Sequence, residues 1–197
     1  FYITGHPLDE FTRELAWFTD STSASIAEAG NKKKVSLAGI PIKHLPKTTR
    51  KGDKMGIITL EDLQGSVEVI LWPEIYNKAQ ELLLKEEPLL VKGEVDAEGS
   101  LPKVIATELF PLAQANQYFQ GKVMIHFRTL GLERETLIAV KEILASHKGN
   151  NDTRLHFIFP DDKERVVTVA HELRIKPSDE VLSQIEALLG EDAILFE

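Results

Sequence analysis

Between Lys34 and Phe110 apolar residues recur mostly at every second position, and one helical run after Pro73 interrupts the alternation. Such a chain folds as short strands with one buried face, and the lone helix has to cover part of the sheet they build. Val35, Leu37, Ile40 and Ile42 open the first strand, with Gly39 predicting a bulge or tight bend inside it. Met55–Leu60 is the second strand and Ser66–Trp72 the third, joined by the turn Asp62-Leu-Gln-Gly65. Pro73 suits a first helical position, and Ile75, Ala79, Leu82 and Leu83 then share one helical face. Pro88 ends that helix. Leu89, Val91, Gly93 and Val95 form a fourth strand, and Leu101–Phe110 a fifth, across the turn Asp96–Gly99. Three strands, a helix and two strands within about eighty residues is the element order of an OB-fold, a five-stranded Greek-key barrel.

The flanks read differently. Residues 7–18 predict one short amphipathic helix, with Leu8, Phe11, Leu15 and Phe18 at helical spacing. Residues 19–31 are polar and read as a linker. After residue 110 the order becomes strand 123–127, helix 133–147, strand 154–159, one or two strands in 165–175, helix 178–190 and strand 193–196. Ser178 is the N-cap of the second helix and Gly190 ends it. This βαββαβ order predicts a small α/β sandwich of the split-βαβ kind. The chain is thus expected to be α+β. It divides into an N-terminal helix and linker from a preceding domain (1–31), an OB-fold nucleic-acid-binding domain (32–110) and a C-terminal protein-docking domain (111–197). Phe1 is not an initiator methionine, so a piece of a longer chain is expected.

Composition removes several classes of chemistry. Cysteine is absent, which excludes disulfides, thiolate nucleophiles and Cys-ligated metals. No apolar run approaches the roughly 18 residues needed to cross a bilayer, so no membrane partner is expected. The six histidines, His6, His44, His126, His147, His156 and His171, show no ligand spacing along the chain and read as ordinary surface or half-buried residues. Asp161-Asp162 reads as a Pro-initiated turn. No glycine-rich phosphate loop or nucleophile elbow is present, so neither catalytic residues nor a cofactor nor a metal is expected. A binding module is the better reading.

Charge supplies the candidate. The chain carries a net −8, yet residues 32–54 hold eight Lys/Arg against Asp53 alone. Lys47, Arg50, Lys51 and Lys54 fall in the loop between the first two strands, one of the loops that border the binding face of an OB barrel. Gly52 lets the backbone come close to a phosphate. Strands two and three offer Ile57, Thr59, Val67 and Val69 but no aromatic before Trp72, which reads as strand-end core. The expected binding is weak, electrostatic and tolerant of sequence.

Several stretches resemble a known family. Phe1-Tyr2-Ile3 with Gly5-His-Pro-Leu-Asp9, then Thr49-Arg-Lys-Gly-Asp-Lys-Met55, Thr59-Leu-Glu-Asp62, Gly65-Ser-Val-Glu-Val69, Pro73-Glu74 with Tyr76, and Leu173-Arg-Ile-Lys-Pro-Ser-Asp179 followed by Leu188-Leu-Gly190 resemble the C-terminal region of the bacterial DNA polymerase III alpha subunit. The resemblance implies a cytoplasmic role in chromosomal replication. Single-stranded template would lie near the barrel, on Arg50, Lys51 and Lys54, and the clamp-loader tau subunit would dock on the C-terminal domain. It also implies that the polymerase carboxylates and the internal sliding-clamp peptide lie upstream, so the clamp would be met only there. Gln114-Ala-Asn-Gln-Tyr-Phe119 lacks the aliphatic residue of a clamp peptide and reads as a short linker helix. The terminal Ile194, Leu195 and Phe196 resemble the family's apolar tail and are candidates for partner docking. Two alternatives remain: the anticodon-binding barrel of a class II aminoacyl-tRNA synthetase, which carries a similar loop and strand pair, and a purely structural barrel beside a protein-interaction domain.

Overall fold

The computed structural model describes residues 6–119 and 121–197, so the Phe1-Tyr2-Ile3 and Gly5 part of the resemblance lies outside the described residues. Two compact units divide between Ala115 and Asn116, which leaves residues 111–115 with the first.

The first unit starts with a 3-10 turn, Pro7–Phe11, and then α1 (Thr12–Phe18). One continuous helix over 7–18 does not form. His6 caps the turn by accepting the Leu8 N–H at Nδ1, and Phe11, at φ −110° and ψ 25°, leaves helical geometry before α1 begins. Residues 19–31, expected as a linker, hold α2 (Ser23–Glu28). Thr22 and Ser25 close a capping box at its start. The Asp62 carboxylate accepts from both the N–H and the hydroxyl of Ser23 at 2.6 Å, and from the N–H groups of Gln64 and Gly65. Ile26, 1% exposed, enters the barrel core. Polarity in 19–31 therefore marks hydrogen bonding onto the barrel rather than solvation.

Five strands then close a barrel: β1 (Lys34–Thr48), β2 (Lys54–Asp62), β3 (Gly65–Leu71), β4 (Leu89–Asp96) and β5 (Lys103–Pro111), in the order β1-β2-β3-β5-β4. The helix α3 (Pro73–Leu83) lies between β3 and β4 in sequence. The long β1 serves two neighbours. Lys34–Gly39 pairs with β4 and Ile40–Thr48 with β2. Of the bulge or tight bend expected at Gly39, the register shift itself falls between Pro41 and Lys43. Gly39 sits where β1 passes from one partner to the other. A Cβ there would stand 2.6 Å from the Glu61 carbonyl oxygen and 2.7 Å from Leu60 Cγ, so only glycine permits the approach. The parallel pairs Val69↔Val104 and Ile70↔Ile105 complete the closure.

Alternation puts Leu37, Ile58, Leu60, Val67, Val69, Leu71, Val91 and Val104 inside, and α3 adds Tyr76, Ala79 and Leu83. The helix turns Tyr76 inward, with Ile75 and Leu82 only partly buried against the same core.

The single-turn helix α4 (Ala115–Tyr118) stands where the short linker helix is expected. The second unit then runs β6 (Lys122–Arg128), α5 (Arg134–Ser146), β7 (Asp152–Ile158), β8 (Glu164–Thr168), α6 (Asp179–Leu189) and β9 (Ile194–Phe196). Its sheet order is β8-β7-β6-β9. β6 and β7 are parallel and adjacent, so the βαβ unit is not split. Element order alone leaves open whether another strand enters between the parallel pair. After β8 the chain leaves the sheet in a 3-10 turn, His171–Leu173, instead of continuing as a strand to 175. Val123, Ile125 and Phe127 of β6 are buried together with Val140 and Leu144 of α5 and Val181, Leu182 and Ile185 of α6. The alternate residues of β6 and β7 stay partly exposed on the opposite face. Among the described residues no helix is long and apolar enough to cross a membrane.

Gly39→Ala is expected to destabilise the first unit by about 1–3 kcal/mol, the usual range for forcing a methyl into occupied space. Urea unfolding followed by tryptophan fluorescence checks this, and an unchanged midpoint would contradict so close an approach of the two strands.

Candidate nucleic-acid interface

β1 and β2 pair out to Thr48↔Lys54 and end in a turn that holds itself closed. The Thr49 N–H donates to the Asp53 carbonyl at 2.8 Å, and the Gly52 N–H to the Thr49 carbonyl at 3.0 Å. The Thr49 hydroxyl oxygen accepts from the N–H groups of Lys51 and Asp53. Gly52, at φ +93°, takes the left-handed conformation that lets so short a turn close.

This geometry leaves Lys47, Arg50, Lys51 and Lys54 exposed around one hairpin tip. None of the four has a carboxylate oxygen within 4.0 Å among the described residues. Their charge is thus available to an incoming anion, with only Asp53 near them in sequence.

The pairing register extends the surface. Lys43↔Thr59↔Glu68 and Leu45↔Ile57↔Ile70 form cross-strand rows on the outer face of β1, β2 and β3. Val67 and Val69, expected on that face, point inward instead, at 6% and 0% exposure. Glu68 is the one acidic side chain in these rows, and Lys103 Nζ lies 2.7 Å from its Oε2. That hydrogen bond, aided by the charges of Lys103, Lys47 and Lys43, holds the Glu68 carboxyl below its ordinary value of 4.5 against a smaller opposing effect of burial. Trp72, expected as core, is 46% exposed one residue beyond β3, on the alternation of Glu68 and Ile70. Pro73 starts α3 immediately after it, so the ring stays at the rim.

The four expected cations thus share one turn, Lys43 joins them on the adjoining outer face, and Trp72, expected as core, is exposed. The spacing 43, 45, 47 within one strand carries the signal for Lys43. For Trp72 the signal is the alternation that puts it on the side of Glu68 and Ile70.

Of the terminal candidates, Ile194 is buried at 1% exposure and paired with Ile125, which removes it from any docking surface. Phe196 packs edge-to-face on Phe119 with ring centroids 4.8 Å apart. Leu195 alone of the three is exposed.

Comparison with known proteins adds to this geometry. Residues 35–112 match the family model described as an OB-fold nucleic acid binding domain. The chain is 31% identical over 200 residues to DNA polymerase III subunit alpha of Vibrio cholerae, and 27% identical over 201 residues to that of Escherichia coli strain K12. Each alignment covers 100% of this chain and 17% of the relative. The whole chain resembles a segment of DNA polymerase III subunit alpha. Among solved structures, asparaginyl-tRNA synthetase from Pyrococcus horikoshii is similar at 19% identity over 71% of this chain and 40% of the synthetase, with a TM-score of 0.30. The alpha-subunit likeness spans both compact units, so the hairpin, the outer face of the barrel and the terminal strand all fall inside the aligned segment.

Replacing Lys103 with Ala is expected to raise the Glu68 pKa toward 4.5. A depressed carboxyl stabilises the fold above its unfolded pKa and loses that contribution as the pH falls through the folded one. The pair is half exposed, so the contribution is at most about 1 kcal/mol. Carboxyl carbon NMR titration reads the shift, and an unmoved Glu68 in Lys103→Ala would contradict the assigned cause.

Proposed function

We propose that this chain is a noncatalytic segment of a replicative polymerase subunit that holds single-stranded template on its barrel and docks the clamp-loader tau subunit through its second unit, in the cytoplasm. The observation that carries the template half is the set of unpaired cations, Lys47, Arg50, Lys51 and Lys54, at the β1–β2 hairpin of an OB barrel, with Lys43 on the adjoining face. A single strand offers one phosphate per nucleotide, and five cations along a hairpin and a strand can track several of them. Among the described residues of this face, aromatic stacking is limited to Trp72 at the rim, so affinity rests mainly on charge. Contacts from exposed cations to phosphate carry no sequence information, which supports tolerance of sequence.

The docking half rests on the sheet edge. β9 is the edge strand beside β6, three residues long, with Leu195 exposed. A partner segment can add there as a further strand, with its side chains meeting Leu195. On this reading the sliding clamp would be met only outside the segment aligned here, which is 17% of the relative.

Fluorescence anisotropy with labelled oligothymidine tests the template half. Binding is expected to weaken with salt at a log–log slope of about −0.7 per phosphate neutralised. Arg50→Ala with Lys51→Ala should flatten that slope by about 0.7 for each phosphate no longer neutralised, and Trp72→Ala should cost about fivefold, or ~1 kcal/mol, at the higher salt. Unchanged affinity in the double variant would remove the hairpin from the interface. Preference for a structured RNA over the single strand would favour the synthetase-like alternative.

A further inference from the structure

The partly exposed sheet face of the second unit gathers two histidines and a carboxylate from three strands. β6 and β7 run parallel in register, which places His126 opposite His156 with ring centroids 5.0 Å apart and planes inclined by 34°. From the neighbouring β8, Glu164 brings Oε1 to 2.5 Å from His156 Nδ1. One donor atom from each of His126, His156 and Glu164 lies within 4.8 Å of the others.

Two features of this cluster bear on what it can hold. The Glu164 contact favours the proton on His156 Nδ1, which leaves a lone pair on Nε2. That Nε2 is buried and has no hydrogen-bond partner among the described residues. A buried acceptor left unpartnered is costly, and native structures usually satisfy it. Neutral imidazole is the form that binds metal. A carboxylate hydrogen-bonded to the far nitrogen of a ligating histidine is the usual support for such a ligand.

We propose that His126 and His156 bind a late first-row divalent cation, with Glu164 orienting His156 and water completing the coordination. Imidazole nitrogen selects zinc, nickel or copper over magnesium and calcium, which prefer all-oxygen shells. Zinc–nitrogen bonds of about 2.0–2.1 Å in a tetrahedral site set donors roughly 3.3 Å apart. The donor atoms lie within 4.8 Å of one another, so side-chain rotation has at most about 1.5 Å to close. Arg154 shares this face but is engaged by Asp152 at 2.9 Å, and Arg128 is exposed at the strand end. Their positive charge makes the site modest in affinity. A bound cation would tie β6 to β7 and stabilise the second unit by linkage. Such a site departs from the metal-free expectation drawn from sequence and is independent of the nucleic-acid reading.

Titration of the whole chain with Zn²⁺, followed by histidine ring NMR signals and by calorimetry, tests it. One equivalent is expected to shift His126 and His156 together, and equimolar Mg²⁺ to leave them in place. His126→Ala and His156→Ala should each abolish the binding, Glu164→Ala should weaken it by about 10–100-fold, and His171→Ala should leave it unchanged. The ring signals of the unaltered chain decide the matter even if a variant fails to fold. Zinc that shifts other histidines first, or binding that survives His126→Ala, would overturn the assignment, as would no binding at all.

Discussion

The first unit depends on one strand having two partners. β1 gives its first six residues to β4 and its remainder to β2, and without that change of partner five strands would form an open sheet. The change brings the Gly39 backbone against the backbone of β2, closer than any side chain allows. The parallel contact of β3 with β5 then closes the ring, which leaves no free edge in the barrel. Everything proposed for this unit hangs on the far half of β1, because that half carries Lys43 and Lys47 and runs into the hairpin tip.

Closure also sorts charge. Inward positions of β2 and β3 are taken by Ile58, Leu60, Val67 and Val69, so polar and basic residues are confined to the outer face and the turn. Glu68 would oppose an anion on that face, yet its charge is engaged by Lys103. An acidic chain thereby presents a locally basic hairpin, and the net −8 describes the molecule without describing this surface. The Thr49 hydroxyl and Gly52 keep the turn compact, so its cations project from a defined backbone.

In the second unit the sheet separates two chemistries by alternation. One side of β6 supplies Val123, Ile125 and Phe127 to the buried layer, while Met124, His126 and Arg128 face the other way. The parallel register with β7 turns a residue unremarkable in sequence, His126, into the neighbour of His156. The terminal strand follows the same alternation: Ile194 belongs to the buried layer and Leu195 to the exposed face.

Sequence by itself determined the strand and helix order of the barrel and of the second unit and the position of the basic turn, because period-two and period-3.6 patterns are local properties of the chain. It also determined that cysteine chemistry is absent. Tertiary structure alone decided that residues 19–31 pack on the barrel, through Asp62 and Ile26, since polar residues that bond to a distant carboxylate look like linker residues along the chain. It decided that β6 and β7 are direct neighbours, and that His126, His156 and Glu164 meet. Each of these is set by pairing or packing between segments far apart in sequence, which forms only when whole strands pair and bury their apolar faces together.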